Sequence, residues 1–298
     1  MTTTPTAPQR LGAAGAEPAP APFAVRAQSA LAAHGPLVFG LDPSGAVLEA
    51  WGVGDTPDGL DRFVDIVVEA LPGVVGMVKP QSAFYERHGW RGIASLARLM
   101  GTCREAGLLV LLDAKRGDVG STNEAYAEAY LGPDAALAAD ALTITPYLGL
   151  GAMAPLLDRA AACGAGIFVV TRSSNPEGRP LQQARLPDGD TVEQALVDDI
   201  AALNRRFVPS GLGPVGAVFG PTHGPPAFDL AAMNGLFLAP GIGAQGATPA
   251  DVAACFASCP DRVLPAASRS LLDAGPDPAG LRGAAQALAG ELRRALGL

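Results

Sequence analysis

Short runs of apolar residues recur along the chain, and each is followed by a longer stretch that mixes apolar with polar residues. Eight such runs occupy residues 36–41, 74–79, 108–113, 141–145, 166–171, 214–219, 235–239 and 262–267. Short, continuous apolar runs are typical of strands that are buried on both faces of a parallel sheet. Apolar residues recur at three- and four-residue intervals in 58–70, 91–106 and 191–207, which predicts helices there. The pattern therefore predicts eight βα units.

Eight βα units close naturally into a barrel, so we predict an α/β fold with a single (β/α)8 TIM-barrel domain over residues 21–298. The length of 298 residues suits one such domain. Residues 1–20 are rich in Ala, Pro and Thr without apolar periodicity, and they are predicted to form a disordered tail. A doubly wound open sheet remains an alternative, because it produces the same periodicity.

Composition excludes several classes of function. The formal net charge is −8 and no cluster of Lys and Arg is present, which argues against a nucleic-acid partner. No signal peptide and no apolar stretch of about 18 residues is found, so we expect a soluble, cytoplasmic protein without a membrane partner. Only three histidines and four cysteines occur. Cys255 and Cys259 stand one helical turn apart, but without a second ligand pair we interpret them as buried thiols and predict no metal site.

Charged residues follow the first three predicted strands. Only two of the 21 basic residues are lysines, Lys79 and Lys115, and an ammonium can exchange a proton in settings where a guanidinium cannot. The strand ends carry Asp42, Lys79, Asp113, Lys115 and Asp118. Carboxyl ends of parallel strands meet at one edge, so these five charges are expected to converge at one mouth. They form either a catalytic array or an ion-pair network that closes the barrel end.

Two later segments suit a phosphorylated ligand. The sequence GIGAQG at 241–246 follows the seventh strand, where barrels frequently bind phosphate, and Arg269 follows the eighth. GIGAQG also matches a dinucleotide fingerprint, but that motif normally occupies the first βα turn of its domain. The turn-rich stretch after the fifth strand, residues 172–190, is a candidate lid. Its cations Arg172 and Arg179 either touch phosphate or solvate the loop.

The ordered motifs resemble those of the orotidine 5′-phosphate decarboxylase family, in its bacterial type 2 version. They are FGLDPS (39–44), MVKPQSAFYE (77–86), LLDAKRGDVGSTNEAY (111–126), TRSSNPEG (171–178), APGIGAQG (239–246) and ASRS (267–270). The resemblance covers nearly the whole chain after residue 20. It implies decarboxylation of orotidine 5′-phosphate to uridine 5′-monophosphate, the last step of de novo uridine monophosphate biosynthesis, with no cofactor.

The resemblance also implies a role for each matching residue. Asp42 and Lys79 would contact the ribose, Asp113 would face the substrate carboxylate, and Lys115 would stabilise and protonate the C6 carbanion. The remaining substrate ligands are implied to be Ser174 at the pyrimidine edge, Gln245 and Arg269 at the phosphate, and Asp118 and Thr122 in the neighbouring subunit's site. A homodimer with two shared sites follows from the last pair.

Three other functions remain open at the level of sequence. A magnesium-dependent phosphosugar decarboxylase or synthase of the same barrel superfamily also carries D-x-K-x-x-D, although Lys79 in a VKPQ context is not expected there. A Schiff-base aldolase is disfavoured because carboxylates flank Lys115 and keep it protonated. A non-catalytic nucleotide-binding barrel would be expected to lose part of the charged array.

Overall fold

The chain folds into a closed barrel of parallel strands, as seen in a computed structural model that describes residues 20–298. The predicted tail at residues 1–20 lies outside the described residues except for Pro20. Strand order around the barrel follows chain order, and the ring closes where the first strand pairs with the last. The strands are β1 Val38–Leu41, β2 Met77–Pro80, β3 Leu109–Arg116, β4 Ala141–Ile144, β5 Gly166–Arg172, β6 Val215–Phe219, β7 Phe237–Ala239 and β8 Val263–Ala267. The predicted barrel is confirmed, and the open-sheet alternative is wrong.

Several strands begin one to three residues later than the apolar runs predicted. Leu37 and Val75 precede β1 and β2 and are almost fully buried, although neither belongs to a strand. Burial alone demands an apolar side chain, so the hydrophobic pattern extends past the residues that form ladder hydrogen bonds. Strand β3 departs in the other direction, because it continues beyond Asp113 to Arg116.

Helices connect the strands and cover the outside of the barrel. The three predicted helices are present as α3 (Pro57–Ala70), α5 (Gly89–Glu105) and α9 (Val192–Phe207), with ends shifted by one or two residues. Helix α3 begins where Thr56 accepts a hydrogen bond from the Gly59 N–H and Pro57 occupies the first turn, two features that favour a helix start. The helices are α1 Phe23–His34, α2 Gly45–Ala50, α3 Pro57–Ala70, α4 Ala83–Glu86, α5 Gly89–Glu105, α6 Gly120–Tyr130, α7 Ala154–Cys163, α8 Arg179–Gln182, α9 Val192–Phe207, α10 Pro249–Cys255, α11 Arg269–Leu272 and α12 Pro278–Leu296. No helix within residues 20–298 is long and apolar enough to cross a membrane.

Helix α1 closes the amino-terminal end of the barrel. Phe23 packs edge-to-face on Phe168 of β5, with ring centroids 5.8 Å apart, inside the apolar cluster that fills the barrel. Gly166 leaves room for this ring, since a Cβ there would lie 2.5 Å from Phe23. Arg26 of the same helix forms an ion pair with Asp140, which directly precedes β4. One end of the barrel is thus sealed, and the carboxyl end is left for a ligand.

Removal of the Phe23 ring should destabilise the barrel without altering the opposite end. We expect Phe23→Ala to lower the free energy of unfolding by about 3–5 kcal/mol, because it leaves a cavity in the closed end. Val25→Ala on the same helix is the matched control, since Val25 is 51% exposed. The control should change the free energy by less than about 0.5 kcal/mol. Equal effects of the two substitutions in denaturant titrations would contradict the proposed sealing role.

Candidate active site

A cavity of about 300 Å³ opens at the carboxyl ends of the strands. Apolar and polar side chains both line it. The apolar ones are Val170, Val218, Leu238, Ile242, Ala266 and Ala267. The polar ones are Asp42, Lys79, Gln81, Asp113, Lys115, Ser173, Ser174, Asn175, Gln245, Ser268 and Arg269. A partly apolar ligand that carries several polar groups suits such a space.

Asp113 is one of the polar residues that line the cavity, and it accepts four hydrogen bonds. Its Oδ1 accepts from Lys115 Nζ at 2.7 Å and from Thr143 Oγ1 at 2.8 Å. Its Oδ2 accepts from Lys79 Nζ at 3.1 Å and from Gln81 Nε2 at 3.2 Å. The carboxylate is 7% exposed and Lys79 is 6% exposed, so the charges are paired in a largely water-free setting.

The pKa values of this pair follow from burial and mutual attraction. Burial opposes ionisation of Asp113, but the charges of Lys79 and Lys115 and the hydrogen bonds from Lys115 and Thr143 outweigh it. The net effect holds the pKa of Asp113 well below its ordinary value. Burial likewise opposes the charge of Lys79, and Asp113 and Asp42 reverse that effect, so the pKa of Lys79 is raised. Both groups are therefore ionised at neutral pH.

The backbone at Lys115 departs from a regular strand. Lys115 has a φ of 47°, a left-handed conformation that is uncommon for residues other than glycine. The register between β3 and β4 shifts between Leu112 and Arg116. Hydrogen bonds from Lys115 N to Thr143 Oγ1 (2.9 Å) and from Thr145 Oγ1 to Lys115 O (3.3 Å) hold the distortion. Asp113 and Lys115 are thus brought into contact by a bulge rather than by simple strand alternation.

Asp42 follows β1 and lines the same cavity. Its Oδ1 atom is buried, and no hydrogen-bond partner for it is found among residues 20–298. A buried acceptor without a partner is costly, which favours a ligand hydroxyl as the missing donor. Ser268 directly follows β8. Its hydroxyl is also buried and has no hydrogen-bond partner within the described part of the chain.

The glycine-rich turn at 241–246 lies at the far side of the cavity. Gly241, Gly243 and Gly246 all have positive φ values, of 95°, 74° and 89°. The turn is closed by its own hydrogen bonds, such as Gly243 N to Ala247 O at 2.9 Å. Gln245 points across the cavity mouth, where its Oε1 accepts from Ser174 Oγ at 2.6 Å.

The predicted site residues separate into two groups. Seven of the nine line the cavity, namely Asp42, Lys79, Asp113, Lys115, Ser174, Gln245 and Arg269. Asp118 and Thr122 do not, so the prediction that all five charges converge at one mouth is wrong for Asp118. Asp118 lies beyond the end of β3, where its carboxylate accepts from the next residue's N–H at 2.8 Å, just before α6. Thr122 is exposed on that helix.

Arg172 neither touches the cavity nor solvates a loop. It is the last residue of β5 and is 3% exposed, because it forms a buried ion pair with Glu193 at the start of α9. The segment between β5 and α9, residues 173–191, contains a short 3-10 turn and α8, which the turn-rich sequence did not predict. Arg179 is exposed on that helix.

Three polar residues around Asp113 and Arg172 had no predicted role. Gln81 was visible in the VKPQ motif without an assigned role, and Thr143 stands as the one polar residue inside the apolar run of β4. A hydroxyl within a strand that is buried on both faces is a usable signal, because it needs a partner. Glu193 gave no such signal, since an acidic residue in the first turn of a helix is common.

The remaining candidate ligands do not assemble into a metal centre. Within the described residues, no group of three or more His, Cys, Asp and Glu side chains is arranged to hold a metal ion. Cys255 and Cys259 are 5% and 2% exposed. Burial raises the pKa of Cys255 to about 12 and that of Cys259 to about 11, which disfavours the thiolate that a metal requires. The interpretation of these residues as buried thiols is confirmed.

Known proteins resemble this chain over nearly its full length. Residues 35–282 match the model of the Orotidine 5′-phosphate decarboxylase / HUMPS family. An orotidine 5′-phosphate decarboxylase of Salinispora arenicola is 53% identical over 274 residues, covering 92% of this chain and 98% of the relative. The same-named protein of Streptomyces coelicolor is 48% identical over 276 residues, covering 92% and 98%.

A solved structure shares the fold as well as the sequence. A chain from Streptomyces avermitilis, assigned as an orotidine 5′-phosphate decarboxylase, superposes with a TM-score of 0.87 at 45% identity and covers 97% of this chain and 100% of its own. The family match spans all eight strands and every residue of the charged array. The chain therefore belongs to the Orotidine 5′-phosphate decarboxylase / HUMPS family.

Proposed function

We propose that the protein is a carboxy-lyase that converts orotidine 5′-phosphate to uridine 5′-monophosphate. The observation that carries the proposal is the Lys115 ammonium, held 2.7 Å from the buried Asp113 carboxylate in a cavity whose far side carries Gln245 and Arg269. The names of relatives that are 48–53% identical over 92% of the chain support the same reaction; the family itself is broader, since its model also covers HUMPS proteins. The magnesium-dependent, aldolase and non-catalytic alternatives have no such support.

The chemical problem is a carbanion that the pyrimidine ring cannot delocalise. Loss of CO2 from C6 leaves electron density in an sp2 orbital, and catalysis of such a step demands stabilisation on the order of 20 kcal/mol. A fixed ammonium directed at C6 interacts more strongly with the carbanion than with the ground state, so it lowers the barrier. The same ammonium can then deliver its proton to C6. Lys115 is the residue proposed for both steps.

Asp113 and Lys79 are proposed to hold that ammonium in place. One hydrogen bond to Asp113 fixes Lys115 Nζ and leaves its other protons free for the substrate. Asp113 remains anionic at neutral pH, so it also faces the substrate carboxylate with a like charge. Lys79 balances part of that charge from the opposite side. The array thus presents a cation to C6 while it keeps an anion close to the departing group.

The rest of the substrate is proposed to span the cavity. Asp42, with its unpartnered Oδ1, and Lys79 would bind the ribose hydroxyls. Ser174 would bind the pyrimidine edge, and Gln245 and Arg269 would bind the phosphate. The Ser174 hydroxyl uses only the carbonyl oxygen of Gln245, so the amide nitrogen of Gln245 remains available as a phosphate donor. The apolar lining residues, among them Val218 and Leu238, would pack against the base.

We further propose a homodimer in which each site is completed by its partner. Asp118 and Thr122 do not line the cavity of their own chain. Large apolar side chains that follow β3 and β4 are exposed, since Val119 is 55%, Tyr147 is 77% and Leu148 is 52% exposed. Large exposed apolar side chains grouped beside charged residues are typical of an interface. We also propose that the enzyme acts in the cytoplasm and needs neither a metal nor an organic cofactor.

The direct test is the loss of orotate absorbance when the purified protein is mixed with orotidine 5′-phosphate in excess chelator. We expect turnover without added metal, and Lys115→Ala should lose about 10⁴-fold or more of kcat/KM because both electrostatic stabilisation and the proton donor are removed. Arg104→Ala, at an exposed site on α5, serves as the control. An absence of turnover that Mg²⁺ restores would move the assignment to a metal-dependent relative.

The depressed pKa of Asp113 predicts a pH dependence of stability. Its folded-state pKa lies below the unfolded value of about 3.9, so its ionisation stabilises the fold above that pH and the contribution is lost as the pH falls through the folded-state pKa. We expect Asp113→Asn to be less stable than the wild type at pH 7. The difference should shrink as the pH falls below about 4. A difference that stays constant between pH 7 and pH 3 in denaturant titrations would refute this expectation.

Shared sites predict recovery of activity between two inactive variants. Lys115→Ala and Asp118→Ala impair different subunits of one site, so a mixed dimer contains one site free of both substitutions. After random subunit exchange, half the dimers are mixed and about a quarter of wild-type activity should return. Each variant mixed with itself is the control. Failure to regain activity, although mixed dimers form, would show that Asp118 acts within its own subunit.

A further inference from the structure

A buried ion pair joins the two ends of the 173–191 segment. Arg172 ends β5 immediately before the segment, and Glu193 lies in the first turn of α9 immediately after it. Arg172 Nε donates to Glu193 Oε2 at 2.7 Å, and Arg172 Nη2 donates to Glu193 Oε1 at 2.5 Å. Each residue is only 3% exposed. The two hydrogen bonds run in parallel, so they fix the orientation as well as the distance of the two ends.

The guanidinium of Arg172 is held from two further directions. Its Nη1 donates to the Gly224 carbonyl at 3.0 Å, in the turn that follows β6. Its Cζ lies 4.1 Å from the centroid of the Phe219 ring, the last residue of β6. The plane of the guanidinium is therefore set by β6 and the turn after it. Arg172 and Glu193 thereby anchor the ends of the 173–191 segment to a rigid part of the barrel.

The first residues of the segment reach the cavity. Ser174 follows Arg172 by two residues, and its hydroxyl donates to Gln245 Oε1 at 2.6 Å. Its carbonyl accepts from Thr222 Oγ1 at 3.0 Å, in the same turn that contacts Arg172. A change in the direction of the chain at Arg172 would displace Ser174 and, with it, the side chain of Gln245.

Stability alone does not account for charges at this position. An ion pair taken out of water is expensive, and apolar residues of similar volume often stabilise a fold equally well or better. Arginine offers what apolar residues lack, a rigid planar fork that sets an angle. The fork here stands between the barrel and a segment whose side chains line the cavity. Its geometry points to orientation as the function of the pair.

We propose that Arg172 and Glu193 are positioning residues, which hold the 173–191 segment so that Ser174 and Gln245 face the substrate. Neither residue lines the cavity, so neither is a catalytic residue. This inference rests on the proposed decarboxylase function and deepens it.

The kinetic consequence is a selective rise in KM. Without the fork, the segment spends only part of its time in the arrangement that binds substrate, and the apparent affinity falls by that fraction. Once substrate is bound, Lys115 and Asp113 are unchanged, because their hydrogen bonds come from β2, β3 and β4. The positioning role therefore predicts that KM increases while kcat is nearly preserved.

The experiment compares three variants of the pair with one matched control. Arg172→Lys keeps the charge but loses the fork, and Glu193→Gln keeps the shape but loses the charge. The double variant Arg172→Met with Glu193→Leu replaces the pair by apolar side chains, which keeps the fold testable if the single variants are unstable. Arg26→Gln is the control, because Arg26 also binds a carboxylate, that of Asp140, and a backbone carbonyl, that of Gly164, but at the amino-terminal end.

Three quantities are measured for each protein, namely Tm, the values of kcat and KM for orotidine 5′-phosphate, and the amide exchange of residues 173–191. We expect the pair variants to raise KM about tenfold or more with kcat within about threefold of wild type. Amide exchange of the Ser173 N–H, which donates to Gln182 Oε1 at 3.0 Å, should become faster in them. Arg26→Gln should lower Tm and leave KM and this exchange unchanged.

Two results would overturn the inference. An unchanged KM in the pair variants, with a loss of Tm like that of the control, would make the pair structural only. A loss of kcat at constant KM would place its effect on the charged array instead. A wild-type protein that does not turn over orotidine 5′-phosphate would refute the proposed function. The exchange measurement still tests the pair in that case, since it requires no activity.

Discussion

The structure depends on one buried carboxylate that has four donors. Asp113 stands at the carboxyl end of the barrel, where two ammonium groups, one hydroxyl and one amide converge on its two oxygens. Loss of the buried Lys79 would leave the carboxylate without its buried counter-charge, at a cost of about 3–5 kcal/mol, and loss of the hydrogen bond from Thr143 or Gln81 would cost about 1–3 kcal/mol. The arrangement is therefore rigid. A rigid anion is what a preorganised ammonium requires, because its position then needs no rearrangement during the reaction.

This arrangement requires a strained backbone conformation at Lys115. A left-handed conformation costs a non-glycine residue about 1–2 kcal/mol, and it persists only where neighbouring groups hold it. The hydroxyls of Thr143 and Thr145 do so here, and Thr143 also donates to Asp113. Strand β4 thus supports the array twice, once through the carboxylate and once through the backbone of the lysine. A regular β3 strand would also bring Asp113 and Lys115 to the end of the barrel, but it would not fix the backbone of Lys115 in this left-handed conformation.

The sequence predicted the features that follow from burial and from position along the chain. Eight strands could be predicted because both faces of the sheet are buried. Strand residues such as Leu111 and Ile144 are therefore apolar whichever face they lie on, and each strand becomes a continuous apolar run. The meeting of Lys79 with Asp113 followed from the rule that parallel strands end at one edge. The bulge at Lys115 was not visible, since no glycine or asparagine marks its positive φ. Likewise, nothing in the sequence pairs Arg172 with Glu193, because that contact depends on the path of the 173–191 segment.

The two ends of the barrel differ in role: the amino-terminal end contributes stability, and the carboxyl end contains the cavity. At the amino-terminal end, Phe23 and the cluster around Phe168 fill the interior, so this end gains stability from apolar burial. At the carboxyl end, the interior holds Asp113 and Lys79 instead, and both are less than 10% exposed. Buried charges of this kind gain little net stability even when they are paired. The closed end can offset their cost, since both ends share the same eight strands. A barrel of this kind can therefore keep a charged, preorganised cavity at one end because the other end contains an apolar core.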